Sequence, residues 1–498
     1  MVEPRTPVLV GVGTAHADVE AAELMARAAK AAQTDTGASG LLAATQRIAV
    51  PRGTWSYTDP ARIVADRIGA HTPQTVLADV GIPQQTLIND ALEAIIGGQV
   101  DIVLIVGAEA KARAARAGRR GRAADAGGIV QVMGRRHPGS EPVSEIDQHG
   151  AIPGIHQTPT DEIVSRPEIE AGLWAPVEQY ALIEPALAAA EQAGVAQHRR
   201  QIAELWARFN EVARANPEAA FNEPMTTAEL ETFSGRHRPL AFPYGKWHAS
   251  QWTVDQGAAL LLCSAAAADR FGVPRDRWIF PLVGLESSLS VPLTNRRAMH
   301  RWDAMRVLGR AAAKHIDRPL ADCDHAELYS CFPVAVRVQQ RELDLPVDGT
   351  PTITGGMSFA GGPFNNFVLQ ATAAMARRLR EQPGLGLVTT VSGLLTKPGL
   401  AVWSSHPSDR PPLVADLRDE ATEATETIEA VSDYAGDATI AACTVTYDGQ
   451  SPKELIAVVD TADGTRAIAR TSDIGLATRA TTVGLVGGRV TVSAGRFV

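Results

Sequence analysis

The chain has 498 residues, of which 45% are hydrophobic and 21% charged, as in a water-soluble globular protein. Its formal net charge of −9 disfavours a nucleic-acid partner. The four cysteines, Cys263, Cys323, Cys331 and Cys443, show no CxxC spacing, which argues against a zinc site or a disulfide framework. The longest apolar runs, such as Ile102 to Val106, are too short to span a membrane. The N-terminus, MVEPRTPVLVGVG, lacks the basic start of a signal peptide. A cytoplasmic protein of roughly two to four domains is expected.

Val8 to Val12 reads as a short buried strand, and His16 to Gln33 as an alanine-rich helix. The GVGTAH stretch between them lacks the third glycine of a dinucleotide loop and reads as a strand-to-helix turn. Leu87 to Ile96 is an apolar-periodic helix stopped by Gly97 and Gly98. Asp101 to Gly107, DIVLIVG, is an unbroken apolar strand of the kind buried on both faces. Helix followed by buried strand is the α/β signal. Residues from about 111 to 250 read as a large, partly helical insertion, with helices at Tyr180 to Ala193 and Arg199 to Ala215. Lys111, Arg113, Arg116, Arg119, Arg120 and Arg122 form a basic cluster there. A solvated loop is the plainer reading of it, and a holder for an anionic cofactor tail the alternative.

From Gln256 the core pattern returns. GAALLLCSAAAADRFG is a buried strand running into a helix. Strands at Trp278 to Leu285, Ala326 to Phe332, Leu385 to Val391 and Leu400 to Ser404 alternate with helices at Met299 to His315, Val336 to Leu343 and Phe367 to Arg380. Before the last of these helices lies ITGGMSFAGGPFNNF, Ile353 to Phe367, whose glycines call for close backbone approach or positive φ. Ser404 to Pro412, SSHPSDRPP, marks a boundary. Beyond it, Asp448-Gly449, Asp463-Gly464 and Gly487-Gly488 are hairpin signals between runs that alternate with period two. Residues 413–498 are expected to form an antiparallel β-barrel or small sandwich.

Several of these pieces, in this order, resemble the thiolase superfamily, in particular the non-decarboxylating branch near the sterol-carrier-type thiolases. LINDALEAIIGGQVDIVLIVGAEA looks like the helix–strand unit that follows the thiolase nucleophile. NPEAAF, Asn216 to Phe221, resembles the Asn-Pro turn of the family's loop domain, and VDQGAALLLCS its D-G-A-A strand start. AELYSCF, Ala326 to Phe332, matches E-x-(H/N)-(D/E)-(A/C)-F, and GGMSFAGGP, Gly355 to Pro363, matches G-G-x-x-x-x-G-H-P. The resemblance covers nearly all of residues 6–404. It implies an α/β thiolase fold of two similar βαβαβαββ halves stacked in five layers. Residues 1–255 would be the first half, including a loop domain at about 111–250, and 256–405 the second. Residues 413–498 would be the extra domain of a subgroup named as acetyl-CoA acetyltransferases by similarity. An acyl-CoA thioester is the implied ligand, with no permanently bound cofactor.

Thiolase chemistry needs a cysteine thiolate, a second acid/base group and oxyanion holes. By the resemblance, the nucleophile of C-x-S-G falls at Gly81, and Thr86 is the closest downstream hydroxyl. The histidine of G-H-P falls at Gly362, beside Gly361. The H-D or N-E pair falls at Tyr329 and Ser330. Cys331 matches the cysteine of H-D-C-F, the proposed acid/base of the sterol-carrier type, with a buried core thiol as the plainer reading. The late C-x-G motif falls near Thr389 to Gly393, where Ser392 is the nearest polar group or simply a strand-end residue. With most of these groups missing, ordinary thiolase turnover is expected to be absent. The reading favoured is a thiolase-like protein that binds acyl-CoA thioesters. One alternative is an active acyltransferase or C–C lyase using non-standard groups such as Cys331. The other is a non-catalytic scaffold that recruits a protein partner through its C-terminal barrel.

Overall fold

A computed structural model of the chain describes residues 2–119, 146, 148 and 150–497. Arg120 and Arg122 of the basic cluster lie outside the described residues. In chain order the strands of the first part are β1 (Pro7–His16), β2 (Arg47–Pro51), β3 (Gln74–Ala78), β4 (Ile102–Ala110), β5 (Ile155–Gln157), β6 (Pro239–Ala241), β7 (Tyr244–Gly245) and β8 (Asp255–Ser264). Then follow β9 (Phe280–Glu286), β10 (His325–Glu327), β11 (Leu385–Ser392), β12 (Lys397–Ser404) and β13 (Leu413–Asp416). The last are β14 (Ala435–Asp448), β15 (Ser451–Thr461), β16 (Arg466–Thr471), β17 (Arg489–Ser493) and β18 (Arg496–Phe497).

Two mixed sheets form the core, in the orders β1-β8-β4-β2-β3-β5 and β10-β11-β12-β9-β13. Helices Gln84–Ile96 and Phe367–Glu381 lie between them and touch strands of both. Helix Ala21–Asp35 covers the outer face of the first sheet, and helix Asp303–Ile316 that of the second. The result is helix, sheet, helix, sheet, helix, a layering in which each sheet is covered on both faces. DIVLIVG needs this: every residue from Ile102 to Ala108 is buried. The glycines of GVG serve packing. A Cβ on Gly11 would collide with the carbonyl oxygen of Ala32, and one on Gly13 with that of Ala28. Only glycine lets the alanine-rich helix lie this close to β1.

Several elements differ from the sequence expectation. β1 runs on to His16, held opposite Gln256 of β8, so the first helix starts later, at Ala21. β8 begins at Asp255, where the second half was expected to start, yet it is hydrogen-bonded between β1 and β4 in the first sheet. The expected strand over Ala326 to Phe332 is only β10. After Glu327 the backbone leaves the ladder, and Leu328 N donates to Pro351 O and Tyr329 N to Thr389 Oγ1. Residues 413–416, expected in the C-terminal domain, form β13 and pair with β9 at the edge of the second sheet.

In the C-terminal sheet the pairings return on themselves, β14-β15-β16-β18-β17-β14. All are antiparallel except one bridge, Arg470 opposite Arg496. Asp448-Gly449 and Asp463-Gly464 turn the chain as expected, with Gly449 at φ +59° and Gly464 at +80°. Gly487-Gly488 does not join two strands: helix Ile474–Thr482 precedes it, started by Asp473 Oδ1 accepting from Leu476 N. The insertion's β6 and β7 extend this sheet through Ala241 opposite Thr446. No helix among the described residues is long and apolar enough to cross a membrane.

Candidate functional site

Glu327 closes β10 and is buried. It accepts from Thr352 Oγ1 at 2.9 Å, Ile353 N at 2.7 Å, Thr354 N at 2.9 Å and Thr354 Oγ1 at 2.9 Å. Burial pushes its carboxyl up to about 7, against the pull of these donors. The acid of AELYSCF and the start of the glycine loop are therefore one structural unit. Gly355 at φ +95° and Gly356 at +74° then lie directly on Ala213 and Phe209 of helix Val195–Ala215. Met357 N donates to the buried Ser330 Oγ at 3.0 Å.

Gly361 has φ +105°, and a Cβ there would stand 2.5 Å from Gln256 Oε1. At Gly362 a Cβ would stand 1.9 Å from Ser250 Oγ. The backbone at Ser250 is fixed in this place by its neighbours. Ser250 N donates to Cys331 O at 2.9 Å, Gln251 N to Met357 O at 3.0 Å, and Gly362 N to Gln251 O at 3.0 Å. The segment 249–251 thus runs between Cys331 and the glycine loop and fills the space beside Gly362.

Cys331 is buried, with Tyr180 beside its thiol. Burial pushes the thiol up to about 12, so it is protonated at neutral pH. The next ring, Phe332, stacks on Tyr180 at 4.6 Å and on Tyr244 at 5.3 Å. Tyr244 Oη donates to Glu184 at 2.6 Å, and His198 Nε2 lies 2.6 Å from the other Glu184 oxygen. Tyr329 is held at its backbone. Its N–H donates to Thr389 Oγ1, and its carbonyl accepts from Gln339 Nε2. All four cysteines are unpaired.

At the end of β3 the chain turns through Gly81, φ +104°, into helix Gln84–Ile96. A Cβ on Gly81 would stand 3.0 Å from Pro159 Cγ. Thr86 Oγ1 donates to Glu286, and Asn89 Nδ2 donates to its other oxygen at 3.0 Å. Burial pushes the Glu286 carboxyl up to about 7. Lys397 pairs with Ser392 across the β11–β12 hairpin. It is buried, and Nζ donates to Gly81 O at 3.4 Å. Burial lowers its pKa, partly offset by Asp161. Sequence reasoning passes over both Glu286 and Lys397. The available signals were an acid closing the apolar run FPLVGLE and a lysine heading the apolar run KPGLAVWS.

Ser330, Cys331, Gly361 and Gly362 therefore share one contact network. Gly81, Thr86 and Ser392 lie in another, around Glu286 and Lys397. Gln84 joins the two by accepting from Val368 N at 2.9 Å and donating to Asn365 Oδ1 at 3.3 Å. Of all these expected site residues, Gly361 alone lines the cavity of about 730 Å³ that opens beside the glycine loop. Its wall is apolar at Val212, Phe367 and Ala374 and polar at Arg208, Gln370 and Arg378. Arg377 in the same wall is occupied by Glu218 at 2.9 Å and Thr14 at 3.0 Å. Lys111, Arg113 and Arg116 of the basic cluster are engaged within the protein. Lys111 Nζ lies 3.0 Å from the Trp252 ring centroid, and Arg116 pairs with Asp18 and Asp255. Among the described residues, no group of His, Cys, Asp and Glu side chains is placed to hold a metal ion.

No family model and no curated protein matches the sequence. Solved structures do. A monomeric SCP2-thiolase-like protein type 1 from Mycobacterium smegmatis is similar with a TM-score of 0.81 and 27% identity, over 100% of both chains. An Ltp2–ChsH2(DUF35) aldolase is similar with a TM-score of 0.57 and 16% identity, over 81% of this chain and 99% of the other. Human mitochondrial 3-ketoacyl-CoA thiolase, solved in complex with CoA, is similar with a TM-score of 0.54 and 18% identity, over 81% of this chain and 99% of its own.

Proposed function

Because the chain is a thiolase-like protein of the SCP2-thiolase type, we propose that it binds acyl-CoA thioesters and does not carry out ordinary thiolysis or Claisen condensation. The observation that carries this is the space beside Gly362. Ser250 Oγ stands 1.9 Å from the point where a side chain on that residue would start. An imidazole general base has no residue to carry it, and one placed there would first have to displace the Ser250 hydroxyl. Residue 81 supplies no thiol, and Cys331 is a protonated thiol pushed up to about 12. This thiol thus lacks the thiolate character that acyl transfer requires.

The ligand reading is supported by the cavity of about 730 Å³ beside Gly361. Its size suits a cofactor-sized molecule, with an apolar wall for a chain and Arg208 and Arg378 for phosphates. The neighbouring thiolase described in complex with CoA supports the same class of ligand. The closed ring of strand pairings supports reading residues 435–497 as a small barrel docked on the insertion through β6.

The test is calorimetric titration with CoA and with acyl-CoAs of increasing chain length, beside a thiolysis assay on a 3-ketoacyl-CoA. Saturable binding without turnover is the expected result. If no acyl-CoA binds at millimolar concentration, the ligand is wrong. Turnover that disappears in Cys331→Ala would overturn the non-catalytic assignment.

A further inference from the structure

A second cavity, of about 260 Å³, shares no lining residue with the first. Arg296, Arg297, Arg301 and Arg306 line it together, with Asp303 and Glu426 as the acids of the same wall. Two of these arginines are accounted for. Arg301 Nε donates to Glu342 at 2.6 Å, and Arg306 pairs with Asp303. The other two are not. Arg297 has an exposed side chain with no hydrogen bond or ion pair among the described residues.

Arg296 is the unusual one. It is 5% exposed, and it forms no ion pair among the described residues. Its Nε donates to Val291 O at 3.0 Å and its Nη2 to Leu394 O at 2.5 Å, while Nη1 has no partner. Glu168 exerts a field on it, but its oxygens are taken by Ser165 N, Thr294 N and Thr294 Oγ1. A buried guanidinium that its neighbouring carboxylate does not hydrogen-bond is costly, because buried charges are ordinarily paired and hydrogen-bonded. Helix Asp303–Ile316 begins on the same wall with no side chain capping its first turn, which adds to the positive field. Glu426 opposes only part of this charge.

We propose that this cavity binds a small oxyanion of the phosphate or phosphomonoester class, with Arg296 and Arg297 as its charged partners. The planar forks of two arginines match the oxygens of a tetrahedral anion. The site also has a structural reach. Arg466 of β16 donates to the backbone oxygens of Arg296 and Arg297, the second at 3.2 Å. An anion that fixes these two residues also fixes the carbonyls on which the C-terminal sheet is anchored.

The experiment titrates the full chain with inorganic phosphate at constant ionic strength, with chloride as the control. Thermal unfolding and calorimetry are the readouts. A saturable rise in Tm with phosphate, absent with chloride, is expected. Arg297→Ala is expected to weaken phosphate binding about tenfold or more, with little change in the unliganded Tm because this side chain is exposed. Arg296→Gln is expected to remove binding, and Arg297→Ala carries the test if that variant does not fold. A phosphate response equal to that of chloride, or one unaltered in Arg297→Ala, overturns the proposal. A CoA arm identifies the source of the anion. CoA binding that weakens in Arg297→Ala assigns the site to a ligand phosphate. CoA binding unaltered in that variant, beside weakened phosphate binding, assigns it to the free ion. Both of these outcomes support an oxyanion site.

Discussion

At residue 362 a missing side chain is matched by a neighbour that uses the space. Ser250 Oγ lies 1.9 Å from where the Cβ would be, and Met357 Cβ lies 3.3 Å from the same point. Gly362→His is therefore expected to destabilise the fold by about 1–3 kcal/mol, the usual cost of overpacking. Ser250→Gly in the same chain should recover part of that loss. Urea unfolding measures both, and a midpoint unmoved by Gly362→His would contradict the packing argument. Residue 81 is constrained in another way. With φ at +104°, a cysteine there would be strained before it met Pro159. Motif order in the sequence points to both positions. It says nothing of Ser250 or Pro159 as neighbours, because those contacts bridge segments distant along the chain.

Elements with strong local periodicity were legible. The helix Phe367–Glu381 and the buried strand β4 are each read within a few residues. The short β10 was not legible as such, because its length is set by where Leu328 and Tyr329 find partners outside the ladder. Helix Ile474–Thr482 was hidden among threonines that fit a strand equally well. The short turn Lys246–His248 places the ring of His248 4.7 Å from that of His237. Trp247 N donates to His237 Nδ1 at 3.2 Å, and Gly245 N donates to His248 Nδ1 at 3.2 Å, so both rings accept at Nδ1. Burial pushes His237 down to about 4 from an ordinary 6.5 and lowers His248 in the same direction, and Arg199 adds to both shifts. The unfolded chain then binds more protons between these values. Stability from these groups is full above about pH 6.5 and is lost as pH falls toward about 4. Thermal unfolding from pH 7 to pH 4 should show this decline, and His237→Gln should flatten it. An equal slope in that variant would remove His237 as the cause.

For the whole molecule, sheet edges decide what can join it. An uncovered edge strand offers unpaired backbone groups to a second chain. At β3 that edge is taken by β5 of the same chain, with Val76 opposite Ile155 and Ala78 opposite Gln157. At β9 it is taken by β13, with Leu413 opposite Val283. Pairing through the β3 or β9 backbone is therefore blocked from within, and the edges left on these sides are the short strands β5, of 3 residues, and β13, of 4. Light scattering on the full chain should give the mass of one chain. A stable dimer whose β3 amides gain protection from hydrogen exchange would refute this.

What the sequence by itself determined is the alternation of helix and buried strand, the two glycine-rich approaches and the absence of a cysteine or histidine at residues 81 and 362. These follow from residue identity and from periodicity over a few neighbours, which local sterics and burial dictate. The tertiary structure alone decided that β8 belongs to the first sheet, that Ser250 lies against Gly362, and that Arg296 is buried with no ion pair among the described residues. Each of these depends on which distant segments meet. That is settled by the packing of whole layers, because close-packed interiors leave each side chain only the space its tertiary neighbours do not fill.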